Sequence, residues 1–140
     1  MIPQVDINYL AVFAAAVVGM ALGALWYSPM LFGKTWMSLS GLSEETLTKA
    51  REKGMSKPYL IGFIGTLIMS YVLAHITRFA SATTFLEGSL AGFWIWLGFI
   101  APVALGTVLW EGKPVKLYIL NTSYYLVALV LMGAILAVWV

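Results

Sequence analysis

Leu126-Val127-Ala128-Leu129-Val130-Leu131 is apolar at every position. It has neither the polar face of a surface helix nor the period of two of a half-buried strand. It lies inside a longer apolar run, Val115–Val140, and three similar runs precede it: about Ile7–Tyr27, Tyr59–Phe79 and Gly88–Trp110. Each offers on the order of 20 residues, which at about 1.5 Å per residue crosses a hydrocarbon core of ~30 Å. None holds Lys, Arg, Asp or Glu in its central part. Backbone groups in lipid are satisfied only in helices or closed barrels, and a barrel needs strand-length alternation that these runs lack. The expected fold is all-α: an antiparallel four-helix transmembrane bundle forming one domain over residues 1–140.

Composition agrees. Of 140 residues, 61% are hydrophobic and 10% charged, and mean hydropathy is +0.92. A soluble domain carries roughly 25% charged residues, so this chain has too little polar surface to face water. Eight Lys and Arg against six acids give a net charge of +2. They are too few and too scattered for a nucleic-acid footprint, and no nucleic-acid partner is expected. Cysteine is absent, which removes disulfides, thiolate-held metal and dithiol redox chemistry. Met1–Asn8 contains Asp6 and no Lys or Arg, unlike the positive leading region of a signal peptide, so the first apolar run is expected to be retained.

Three loops connect the runs: Ser28–Pro58, which is long, and Ala80–Glu87 and Glu111–Pro114, which are short. Short loops make helices two, three and four sequential antiparallel neighbours. Lys34, Lys49, Arg51, Lys53 and Lys57 lie in the first loop and Lys113 and Lys116 at the third, against Arg78 alone on the other side. Seven to one predicts that loops one and three are cytoplasmic and that both termini are not. A short interfacial or cytoplasmic helix is expected within the first loop, between helices one and two: Ser43 is a good N-cap, Glu44 and Glu45 suit a first turn, and Glu45 and Lys49 make an i,i+4 pair. Gly54 is placed as the left-handed cap. Before it, Leu31, Phe32, Trp36 and Leu39 surround Lys34, as in a segment lying among headgroups.

Helix association in lipid relies on small residues that let backbones approach. Helix one carries Ala15, Gly19 and Gly23 at i+4 spacing, helix two Gly62, Thr66, Ser70 and Ala74, and helix three Gly88 and Gly92. The first two stripes suit either internal packing or a homo-oligomer, dimer to tetramer. Pro102, with Gly98 and Gly106 on either side, predicts a kink or loosening of helix three.

Polar residues collect at the cytoplasmic ends. Trp26 and Tyr27 close helix one, Trp110 and Glu111 close helix three, and Asn121 and Tyr124 lie one or two turns into helix four. These six are the candidate ligand-binding residues. The plainer alternative makes the aromatics an interfacial belt, Glu111 a solvated loop acid, and Asn121 a helix–helix contact. His75 is the one histidine, near the far interface beside Arg78. With no second ligand it suits a satisfied interfacial side chain better than a metal site. No metal, cofactor or catalytic set is expected.

Leu25-Trp26-Tyr27-Ser28-Pro29-Met30-Leu31-Phe32-Gly33-Lys34-Thr35-Trp36-Met37 resembles the first-helix signature of a small bacterial membrane protein family, domain of unknown function 1761. Ile7-Asn8-Tyr9-Leu10 and the helix-four opening with Asn121 and Tyr124-Tyr125 are similar to it as well. The resemblance implies a four-helix protein of the bacterial inner membrane and carries no activity with it. The leading function is therefore a small homo-oligomeric transporter, channel or ligand-binding module, taking an unidentified small molecule or lipid at the cytoplasmic interface. A drug/proton antiporter would need a titratable group within a span. The alternatives are a membrane enzyme acting on a lipid or other amphipathic substrate, with Glu111, Tyr27 and Asn121 as acid, donor and orienting amide, and an accessory subunit of a membrane complex.

Overall fold

Asn8 starts the first helix: its side chain accepts a 3.1 Å hydrogen bond from the Ala11 N–H, filling one of the free donors of the first turn. The computed structural model describes residues 4–140, so part of Met1–Asn8 lies outside the described residues. Six helices follow in order: α1 Tyr9–Trp26, α2 Gly33–Ser40, α3 Glu44–Glu52, α4 Ser56–Phe79, α5 Phe85–Leu109 and α6 Val115–Val138. No strand occurs among the described residues. α1, α4, α5 and α6 are each long and apolar enough to cross a membrane.

The first loop folds as its residues suggest and adds one helix. Ser43 caps α3 by accepting from the Thr46 N–H at 3.2 Å, Glu45 pairs with Lys49 at 3.5 Å, and Gly54 follows at φ +96°. The headgroup-like segment around Lys34 is the short helix α2. α4 begins a turn earlier than its apolar run because Pro58 sits in the first turn, where a missing N–H removes no intrahelical bond. α5 likewise begins at Phe85: Thr84 accepts from the Glu87 N–H, and the Glu87 carboxylate accepts from the Thr83 N–H at 2.8 Å.

α6 is the central helix. It buries 44% of its spanning residues, against 28% for α1, 22% for α4 and 6% for α5. Met132 is wholly enclosed, packed among Ala11, Ala15, Leu73, Ala128 and Leu136. The closest helix approach is α5 on α6. A Cβ at Gly88 would run into the Gly133 carbonyl, and one at Gly92 into that of Leu129. Small residues at those positions bring the two backbones into direct contact.

α1 packs on both α6 and α4. The Ser70 hydroxyl donates to the Val12 carbonyl at 2.8 Å, Phe13 meets Phe63 edge-on, and Tyr9 stacks on Tyr71. Much of both stripes packs within the chain: Ala15, Gly19, Ser70 and Ala74 are buried, Gly23 lies under Tyr124, and Thr66 reaches Gly19, while Gly62 stays exposed. α4 and α5, although joined by a short loop, barely touch. Ile68 and Val72 oppose Ile95 and Ile100 across an apolar cleft of about 250 Å³, and branched side chains on both walls keep the backbones apart.

Pro102 loosens α5 as its chemistry requires. The preceding turn widens to a π turn, Trp96–Ile100, in which the Ala101 N–H reaches back to the Trp96 carbonyl. α6 supplies two compensating contacts. The Tyr118 phenol donates to the Ala101 carbonyl at 2.7 Å, and the Trp96 indole donates to the Thr122 carbonyl at 2.7 Å.

Candidate functional site

The site grows from the turn that ends α1. The Ser28 hydroxyl donates to the Leu25 carbonyl at 2.6 Å, the Phe32 N–H to the Trp26 carbonyl at 3.0 Å, and the Gly33 N–H to the Ser28 carbonyl at 2.9 Å. Gly33 is buried here, and a Cβ on it would stand 2.5 Å from the Tyr27 carbonyl oxygen. Only glycine lets the chain double back this tightly before α2 begins.

That reversal sets Trp26 and Tyr27 against the first turns of α6. The Trp26 indole donates to the Leu120 carbonyl at 3.2 Å and leans on Phe32, ring centroids 4.8 Å apart. The Tyr27 phenol donates to Asn121 Oδ1 at 2.8 Å. Tyr27 also meets Trp36 of α2 edge-on at 6.0 Å and Tyr124 at 5.6 Å. Tyr124 in turn donates from its hydroxyl to the Gly19 carbonyl at 2.9 Å. Four of the six residues singled out in the sequence, Trp26, Tyr27, Asn121 and Tyr124, thus form one connected cluster.

Trp110 and Glu111 do not join it. Trp110 is 87% exposed and Glu111 is exposed beside it. The structure contributes two residues that sequence reasoning passed over, Trp36 and Tyr125. With Tyr27 and Asn121 they line a recess of about 380 Å³. The signals were present: Trp36 belongs to the same distinctive stretch as Tyr27, and Tyr125 stands one helical turn after Asn121, on the same face.

Tyr27 lies one residue past the end of α1. Burial first, then the phenols of Tyr125 and Tyr124, push its hydroxyl well above the ordinary phenol range. It stays protonated at any physiological pH and remains a donor. Asn121 Oδ1 is engaged by that donor, so the amide nitrogen is the group left for the recess that Asn121 lines. Tyr125 also lines a second cavity of about 370 Å³, walled by Met20, Thr66, Met69, Tyr124 and Met132. The recess sets the Asn121 amide among three aromatic rings, and the cavity beside Tyr125 sets three methionines beside Thr66 and Tyr124.

His75 sits apart on α4. Its Nδ1 pairs with the Tyr71 carbonyl at 2.9 Å, and its ring lies between Tyr71 and Phe79. Its Nδ1 is thus satisfied, and no group of three His, Cys, Asp or Glu side chains that could hold a metal ion forms among the described residues.

Four long apolar helices, with large side chains such as Trp94, Phe99 and Val103 turned outward, define a small all-helical protein of the multi-pass membrane class. Residues 10–137 match the model of the family described as Protein of unknown function (DUF1761), and the chain belongs to that family. No curated protein and no solved structure gives a significant match.

Proposed function

We propose that the protein binds an amphipathic molecule drawn from the bilayer. The polar head of that molecule lies in the Tyr27–Trp36–Asn121–Tyr125 recess, and its apolar portion enters the methionine-lined cavity behind Tyr125. The proposal places four antiparallel spans in a bacterial inner membrane, with the recess at the cytoplasmic interface and both termini on the opposite side. Antiparallel packing is supported by contact pairs whose numbers run in opposite directions: Val12 with Ser70 and Met20 with Gly62, then Gly88 with Gly133 and Gly92 with Leu129. Orientation is supported by the seven-to-one placement of Lys and Arg.

The single observation that carries the reading is that Tyr125 walls both spaces, the recess lined by Asn121 and the cavity lined by Met20, Met69 and Met132. The Asn121 amide N–H groups call for an acceptor on the head, such as a carbonyl, carboxylate or phosphate oxygen. Flexible methionines suit an apolar tail of variable shape. A binding module is favoured over a transporter or channel because Met132, on the wall of the cavity, packs into the closed core with Ala11, Ala15, Leu73 and Leu136. Assembly of copies, dimer to tetramer, would use the part of the α4 stripe left exposed at Gly62.

The test is a thermal-shift screen of the purified chain with single-chain amphiphiles: fatty acids, lysolipids and acyl amides. A ligand that binds only the folded state adds about 2.7 kcal/mol of stability at a hundredfold excess over its Kd. The hit is expected to lose most of its effect in Asn121→Ala and in Tyr125→Ala, and to keep it in Glu111→Gln. A hit retained by both of the first two variants refutes the site.

A further inference from the structure

A second groove lies on the other side of α2, separate from the Tyr27 recess. It spans about 590 Å³ between α2 and the first turns of α6, with Lys34, Thr35 and Ser38 on one wall, Lys116 on the other, and Phe32 and Ile119 as apolar surface. Both lysines and both hydroxyl residues are exposed. Neither lysine has a carboxylate partner among the described residues, where the ion pair formed is Lys49 with Glu45 on α3.

Lys116 also breaks a local rule. It stands in the first turn of a 24-residue helix that has no acidic residue in that turn and no side-chain cap on its N-terminus. A helix N-terminus carries partial positive charge and uncapped N–H groups, so a lysine there is repelled unless an anion stands with it. Natural sequences tolerate such conflicts mainly where function needs them. Lys34 approaches the same point from α2, which adds a second cation with no acid to balance it.

We infer that this groove holds the headgroup of an anionic phospholipid. The phosphate oxygens lie between the Lys34 and Lys116 ammonium groups and accept from Thr35 and Ser38. The acyl chains run down over Phe32 and Ile119. Two unbalanced cations and two hydroxyls supply the chemistry a phosphate needs. The apolar wall and the membrane-interface position of α2 select a lipid over a soluble anion. The site is independent of the Tyr27 recess, with which it shares no lining residue.

The experiment is native mass spectrometry of the full, delipidated chain in detergent, with phosphatidylglycerol or phosphatidylcholine added back. Wild type is expected to retain phosphatidylglycerol in preference to phosphatidylcholine. The double variant Lys34→Gln/Lys116→Gln is expected to lose that preference, by about fivefold per lysine, the effect of one basic side chain at an anionic surface. Arg51→Gln/Lys53→Gln removes the same charge on α3 and is expected to keep it. Equal retention of the two lipids by wild type overturns the inference, and so does an equal loss in both double variants. Displacement of the lipid by millimolar inorganic phosphate would identify a free anion as the ligand and overturn the lipid assignment.

Discussion

Replacing Gly92 by alanine adds one methyl group to the tightest helix contact in the molecule. The new Cβ would point into the Leu129 carbonyl and stand 2.6 Å from its carbon and 3.0 Å from the Val130 nitrogen. Ordinary carbon–carbon contact is about 3.5–4.0 Å, so α5 has to retreat by roughly 1 Å. The obstacle is backbone, which cannot rotate aside. Overpacking of this kind costs about 1–3 kcal/mol. Alanine also gains close to 1 kcal/mol of intrinsic helix preference over glycine, which would mask part of the cost. Gly65→Ala supplies the correction: Gly65 lies within α4, and a Cβ there meets nothing within 4 Å. Both variants share the propensity gain, so their difference isolates the steric cost.

The assay is reversible unfolding in mixed micelles, followed by tryptophan fluorescence. Gly65→Ala is expected to be neutral or stabilising, and Gly92→Ala to lie about 1–3 kcal/mol below it. Adding Gly88→Ala to Gly92→Ala should cost less than the sum of the two, by 0.5 kcal/mol or about that much, because the first methyl has already moved the helix. If Gly92→Ala tracks Gly65→Ala, the close seating of α5 on α6 is wrong.

Tyr118→Phe removes the phenol that satisfies the Ala101 carbonyl beside Pro102 and is expected to cost about 0.6–1.7 kcal/mol, the range for polar contacts between membrane helices, in the same unfolding assay. A reporter active only in the cytoplasm should be silent when fused after Val140 and active when inserted at exposed Gly54, between α3 and α4; the reverse pattern would move the recess to the other face of the membrane.

The four spans were legible because lipid-facing helices need no polar face, and uninterrupted apolar runs say so directly. Helix starts were read late where a polar residue interrupts the run: Glu87 looked like loop, yet its carboxylate takes the Thr83 N–H and belongs to the first turn of α5. α2 was legible only as an interfacial segment, since eight residues do not make a stable helix alone and its Trp36 is held by Tyr27. The grouping of Trp110 and Glu111 with the other candidates rested on depth, and depth does not fix direction around a bundle. α5 seats on α6 through Gly88 and Gly92, while Trp110 past its far end is exposed and outside the cluster, and no one-dimensional pattern reports that placement.

The stretch from Leu25 to Met37 divides by what folding asks of each residue. Trp26, Tyr27, Ser28, Phe32, Gly33 and Trp36 each make a bond or a ring contact that fixes the reversal after α1 or ties it to Leu120 and Asn121. Lys34 and Thr35 make no such contribution: both are exposed, and both face the groove beside Lys116. The turn therefore works as a rigid mount. Its aromatic residues hold α2 against α6, and the mount presents Lys34 on one side of the helix and the Tyr27–Asn121 pair on the other. A pocket that needs a fixed donor and a groove that needs a cation are best built on such a mount, because the backbone carrying each side chain then spends no ordering entropy when a ligand arrives. The most distinctive sequence in the chain thus lies where one short helix positions two different polar features beside the start of α6.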